Sequence, residues 1–226
     1  MQRTKLADRV LPTYTTGEEI FNMTSHIVGG AFAAAAVSLC VIFATLHNNI
    51  WGVVSGAIYG ATMILLYTMS SIYHGLSPKK TATAKKVFQI IDHCSIFLLI
   101  AGTYTPITLC AVRPVNEPLG WTIFGVVWGM AALGVTLNAI DLKKYRVFSM
   151  ISYFGMGWCI IVAFKPMLDS LGGAPMWLIL FGGVAYTIGA VLYGLGKKIR
   201  YMHSIFHLFV LLGSILHFFS ILFYLM

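Results

Sequence analysis

Charge is what this sequence lacks most. Only 10% of its 226 residues are Asp, Glu, Lys or Arg, just seven are acidic, and 58% are hydrophobic. A water-soluble domain needs about a quarter of its residues charged, so composition excludes one. Cysteine is scarce and never paired. Cys40, Cys94, Cys110 and Cys159 all fall inside apolar stretches, and no C-x-x-C occurs. That argues against a disulfide framework or a thiolate zinc site, and for small buried hydrophobes. An early apolar segment is missing too. The first 20 residues are polar and carry Glu18 and Glu19, so no cleavable signal peptide is expected.

What remains is a series of long apolar runs, each near the ~20 residues that a bilayer core requires. They fall at about 22–46, 51–76, 87–112, 119–140, 147–164, 175–195 and 203–225. The expectation is an all-α integral membrane protein: a seven-transmembrane helix bundle over 22–226, preceded by a polar arm, 1–21. A capping box, Thr15 with Glu18 or Thr16 with Glu19, predicts a short interfacial helix at the end of the arm. Thirteen of the fifteen Lys and Arg fall in the arm and the 2–3, 4–5 and 6–7 loops; only Arg113 and Lys165 fall on the other side. By the positive-inside bias the amino terminus is cytoplasmic and the carboxyl terminus outside. The net charge of +8 then reports orientation in a cell membrane and attraction to anionic lipid, not nucleic-acid binding.

Two features bear on packing. Gly52, Gly56 and Gly60 form a doubled G-x-x-x-G, which favours close helix contact within the bundle or between subunits of a homo-oligomer. Pro106 should kink the third span, with Thr103 and Thr105 available to the freed carbonyls.

Polar groups inside such a bundle are costly unless something uses them. His203 and His207 open the seventh span four residues apart, on one helical face. His74 ends the second span and Asp92 begins the third. All four lie within about two turns of a basic loop, roughly 10 Å in depth at 1.5 Å per residue. Three imidazoles with a free fourth position are the donor set of an open zinc site, so Zn2+ is the expected cofactor. Asp92 would hold a metal-bound water and take its proton as general base. Ser70, one turn deeper than His74 on the same face, would hydrogen-bond that water or a reacting carbonyl. The competing reading is a polar cluster of interhelical hydrogen bonds. His93 points ~100° away from Asp92, and His26 lies on the same side and could act in acid–base chemistry or support a ligand. His217 stands ~21 Å along the helix from His203 and reads as a packing hydrogen bond. His47 falls in an outer loop.

Several of these stretches resemble one family. They are Gly17-Glu18-Glu19-Ile20 before Ser25-His26, Ser70-Ser71-Ile72-Tyr73-His74, the run from Asp92-His93-Cys94-Ser95 through Gly102-Thr103-Tyr104-Thr105-Pro106, and His203-Ser204-Ile205-Phe206-His207. The resemblance is to the hemolysin III family, the bacterial branch of the progestin and adipoQ receptor family within the alkaline-ceramidase-like superfamily. It covers the chain from about residue 15 onward. It implies a seven-helix bundle with zinc on His74, His203 and His207, Asp92 contacting the metal through water, and Ser70 nearby. Superfamily members that hydrolyse ceramides imply a membrane lipid amide as substrate. One common feature departs: Ile27 follows His26 where relatives often carry glycine.

The leading expectation is therefore an intramembrane zinc hydrolase of a lipid amide or ester. A membrane sensor or lipid-binding protein with structural zinc is the second, an ion path the third, and an association with haemolysis rests on the family name alone.

Overall fold

Every apolar run forms a helix in the computed structural model, which describes residues 3–196 and 198–226. The first two residues of the expected arm, and Lys197 of the third basic loop, lie outside the described residues. The helices are α1 (Thr16–Leu46), α2 (Ile50–Gly75), α3 (Ala82–Pro106), α4 (Glu117–Asp141), α5 (Arg146–Trp158), α6 (Phe164–Leu171), α7 (Gly173–Leu195) and α8 (Met202–Leu225). A π turn, Ile107–Val112, extends α3, and a 3-10 turn, Cys159–Ala163, joins α5 to α6. Counting each of these joined pieces as one, seven helices are long and apolar enough to cross a membrane. The chain is a multi-pass membrane protein. Its outward surface is apolar, as lipid contact requires: Ile151, Val162 and Phe223 are each more than 60% exposed.

The capping box forms on Thr15. Its hydroxyl accepts from the Glu18 N–H at 3.2 Å, and Glu18 Oε2 accepts from the Thr15 N–H at 2.8 Å. The helix it opens runs unbroken through the expected interfacial piece into the first span. Asn49 then caps α2 through the Gly52 N–H, 2.9 Å away, so α1 and α2 are joined by a link of three residues. The doubled G-x-x-x-G faces α1 inside the bundle. A methyl at Gly56 would stand 3.0 Å from the Cys40 Cβ, and one at Gly60 would strike Val37. Neighbouring helices pack in sequence from α1 to α4, α7 pairs with α8, and α8 closes back on α1.

α3 is the central helix: 78% of its apolar window is buried, against at most 50% in any other span. Pro106 has no N–H to give the Gly102 carbonyl, and the ladder widens to the π turn just beyond it. The threonines do not serve that freed carbonyl. Thr103 donates to Leu99 O at 2.8 Å and Thr105 to Ala101 O at 2.9 Å, both before it in the chain. The fifth span is broken for a visible reason. The Tyr104 hydroxyl reaches in from α3, donates to Gly157 O at 2.9 Å and accepts from the Ile160 N–H at 3.0 Å, replacing ladder bonds between α5 and α6. The four cysteines are free thiols.

Candidate metal centre

The start of α1, the end of α2 and the starts of α3 and α8 meet at one end of the bundle, and two adjacent carboxylates tie them together. Glu18, besides closing its own cap, accepts the Tyr201 N–H at 2.8 Å. Tyr201 sits in the left-handed region at φ 63° and leads directly into α8. Glu19 reaches the other way. Its Oε1 accepts from Lys85 Nζ at 2.8 Å and its Oε2 contacts His74 Nδ1 at 2.7 Å. Lys85 is no loop charge: it is 1% exposed and also donates to Tyr73 O and Leu76 O at the end of α2. The last turn of α2 and the first turns of α8 are thus fixed by residues on α1 and α3.

That arrangement brings His74, His203 and His207 together. All three are buried, and their ligand atoms lie within 4.8 Å of one another. His203 Nε2 stands 3.4 Å from His74 Nε2 and 3.2 Å from His207 Nε2. Around a tetrahedral ion with bonds of ~2.0–2.1 Å, two nitrogen ligands stand ~3.3–3.4 Å apart. The two separations from His203 match this spacing.

Protonation points the same way. An ionised carboxylate only accepts, so the His74 proton sits on Nδ1 facing Glu19. His74 Nε2 is then a lone pair aimed at two further imidazole nitrogens. Neutral rings can then satisfy only one of the two contacts, since His203 Nε2 either donates once or accepts. A cation resolves the conflict, and neutral imidazoles suit a borderline divalent metal. A carboxylate behind a ligating histidine is also the usual support for such a ring.

Other side chains wall the cluster. His26 stacks on His207 with ring centroids 3.8 Å apart, and neither of its buried ring nitrogens has a hydrogen-bond partner among the described residues. Tyr14, from the arm, stacks on His203 at 4.9 Å. Partial burial, with Tyr193 and the Glu19 and Asp92 carboxylates nearby, raises the Tyr14 phenol above its usual range, so it stays a neutral ring. Asn22 holds its side-chain nitrogen 3.5 Å from His74 Nδ1.

Asp92 and Ser70 lie outside the tight triad but line the same cavity as His203, His207 and His26. That cavity measures about 700 Å3 and is mostly apolar in its walls. His93 lines that cavity as well but stands outside the triad, with Nδ1 2.9 Å from Gln89 O and Nε2 3.3 Å from the Tyr193 hydroxyl. His217 bonds Ile179 O at 3.0 Å, far along α8. His47 meets Phe43 beyond the end of α1.

Glu19, Asn22 and Tyr14 carry no site role in the sequence reading, where Glu19 serves only as an alternative cap. A signal was present. Glu19, Asn22 and His26 follow i, i+3, i+7 spacing, and the buried stripe of α1 continues from them through Gly29, Ala33 and Ala36. Replacing Glu19 by Gln should weaken metal affinity 10–100-fold, the effect typical of removing such a support. Competition with a chromophoric chelator measures it. An affinity within about twofold of the parent would reduce Glu19 to a structural tie.

Comparison with known proteins adds to this geometry. Residues 14–218 match the family model described as Haemolysin-III related. The chain is similar to the hemolysin-3 homolog of Bacillus subtilis (strain 168), with 40% identity over 211 residues, 93% of this chain and 96% of that one. Hemolysin-3 of Bacillus cereus is 40% identical over 207 residues, covering 92% and 91% of the two chains. The monocyte to macrophage differentiation factor of Homo sapiens is 28% identical over 179 residues, 78% of this chain and 72% of that protein. No solved structure matches the chain.

Proposed function

This chain belongs to the haemolysin-III related family, and from that membership and its histidine cluster we propose that it is a zinc-dependent hydrolase of a lipid amide or ester. One observation carries the reading. His203 Nε2 stands 3.4 Å from His74 Nε2 and 3.2 Å from His207 Nε2, the spacing of tetrahedral ligands, and His203 and His207 also line a cavity of about 700 Å3. Among the described residues, twelve of fourteen Lys and Arg lie at the end of the bundle that holds the cluster; by the positive-inside bias this supports a site just beneath the cytoplasmic face.

In this reading His74, His203 and His207 hold the ion, with Glu19 keeping His74 in the ligating tautomer. A bound zinc ion would polarise the scissile carbonyl and lower the pKa of a water to ~7. Asp92 takes the proton of that water as it adds to the carbonyl carbon, and later returns it to the leaving amine or alkoxide. The C–N or C–O bond breaks, one water is consumed, and a carboxylate and an amine or alcohol result. Ser70 donates to the reacting carbonyl or orients the water. The apolar walls hold the acyl chain and keep bulk water away.

One observation favours a second reading, a sensor with a structural metal. Tyr14 and His26 stack on two of the three rings and crowd the cluster. Metal analysis coupled to a lipid panel separates the two. The purified protein is expected to carry about one zinc per chain, the stoichiometry of a single site, and to cleave at least one lipid amide or ester. Stripping with a chelator should abolish turnover, and zinc should restore it. Absence of bound metal, or turnover indifferent to stripping, sinks the hydrolase; stoichiometric zinc without turnover on any lipid selects the sensor.

A further inference from the structure

The arm before α1 is laid across the cytoplasmic end of the bundle, with one turn at residues 6–8. Arg3 Nε donates to Ile140 O at 2.9 Å, and the Thr4 N–H to Asp141 Oδ2 at 2.7 Å. Lys86 Nζ reaches Ala7 O at 2.6 Å from α3. Further on, Tyr14 stacks on His203. The arm therefore runs from the end of α4, past the start of α3, to the metal cluster, over the mouth of the cavity.

Arg9 sits midway, and its position is unusual. It is 92% buried, at 8% relative exposure, and it lines the cavity. Its Nε and Nη1 are buried and have no hydrogen-bond partner among the described residues. A guanidinium cannot shed its proton, so an unpaired buried one cannot relieve itself by titration as Lys or His would. Asp141 is near enough to feel the Arg9 charge but makes no direct ion pair with it: its oxygens are taken by the Thr4, Lys143 and Lys144 N–H groups. Asp92 lies 3.6 Å from His93 Nδ1. Among the described residues, Arg9 forms no ion pair. Two more cations line the same mouth, Lys143 and Arg146, both exposed on the 4–5 loop and the first turn of α5.

We propose that Arg9, Lys143 and Arg146 form a phosphate-binding site at the cavity mouth. The planar fork of Arg9 presents two adjacent donors to phosphate oxygens, and the two outer cations match the second negative charge. Below this site the walls are apolar over most of their area, and side chains of α8 line the cavity from His203 to His217, about 21 Å along the helix axis. A phosphate here bound to one acyl chain would place the chain inside and the head under the arm. The head group would also pin the arm over the cluster, since Arg9 and Tyr14 belong to the same segment. This site needs no metal and no turnover, so it stands apart from the hydrolase reading.

Binding in a neutral detergent tests it, with a monoacyl lysophosphatidate, the matching monoacylglycerol and inorganic phosphate as probes. Lysophosphatidate should bind the parent protein, and Arg9→Gln should weaken it about tenfold or more, with Arg9→Lys between. Monoacylglycerol should bind parent and variant alike. Inorganic phosphate binding with the same dependence on Arg9, and no gain from the acyl chain, would keep the site and assign it to the free ion. Equal lysophosphatidate affinity in parent and Arg9→Gln overturns the proposal. If Arg9→Gln does not fold, the exposed pair Lys143→Gln with Arg146→Gln decides: a loss of about threefold or more supports the site, and unchanged affinity overturns it.

Discussion

His207→Ala protein, purified alongside the parent, should carry no stoichiometric zinc and show no zinc-dependent rise in melting temperature. The imidazole it loses is 1% exposed and stands 3.2 Å from His203 Nε2, at the junction of the cluster and the cavity. Two remaining nitrogens cannot hold an open divalent site against a chelator, so the loss should exceed the 10–100-fold of a supporting residue. The variant also leaves a void beside His26, which stacks on the missing ring. Large-to-small changes in a packed interior cost about 2–5 kcal/mol. The two effects separate in the presence of zinc. Ligand binding stabilises the parent by about 4 kcal/mol at a thousand times its dissociation constant, and gives a site-less variant nothing. With chelator present only the void remains, and the gap between the proteins should shrink. His217→Ala is the matched control. It removes a half-buried imidazole from the same helix, whose Nε2 bonds Ile179 O, and it should lose stability yet keep the full response to zinc. A zinc-responsive His207→Ala protein, or a zinc-blind His217→Ala protein, would break the assignment of ligands.

The membrane class and the number of spans are legible from apolar runs because lipid leaves helices few alternatives. The histidine triad is legible for the same reason. Helix ends lie at known depths, and His74, His203 and His207 stand at the ends that meet. What periodicity does not carry is lateral reach. Glu19 reads as one of two cap candidates until the α1–α2 crossing puts its carboxylate 2.7 Å from His74. Lys85 reads as a loop charge until the start of α3 folds it against the end of α2. Arg9 counts only as an orientation charge, because no sequence rule says that an unstructured arm will fold inward over a cavity. The break in the fifth span is illegible for a related reason. Gly155 and Gly157 mark a weak helix, but the hydroxyl that fills the gap comes from Tyr104, more than fifty residues earlier. The G-x-x-x-G of α2 is legible as a contact but not as to its partner, which proves to be α1.

Asp92 is where the hydrolase and the sensor part company. It lines the cavity with Ser70, His203 and His207, yet it stands outside the group of atoms close enough to bind one ion together. A carboxylate so placed contributes little to holding the metal and much to moving a proton. Asp92→Asn keeps the size and one acceptor oxygen of the side chain and removes its basicity. Zinc content should stay within about twofold of the parent, since no ligand is lost. Turnover on the best lipid of the panel should fall by about 10²–10⁴, the span general-base catalysis supplies. If chemistry limits the rate, the fall should appear in kcat with KM nearly unchanged, because the acyl chain still fills the apolar cavity. A ligand role predicts the reverse pattern, zinc lost together with activity, and a purely structural role predicts neither loss. The serine gives the companion measurement. Ser70→Ala should lower turnover by less than Asp92→Asn does, since it orients but carries no proton, and zinc should again be retained. A Ser70→Ala defect larger than that of Asp92→Asn would move the proton-handling role off the carboxylate and require a different assignment of groups around the cavity.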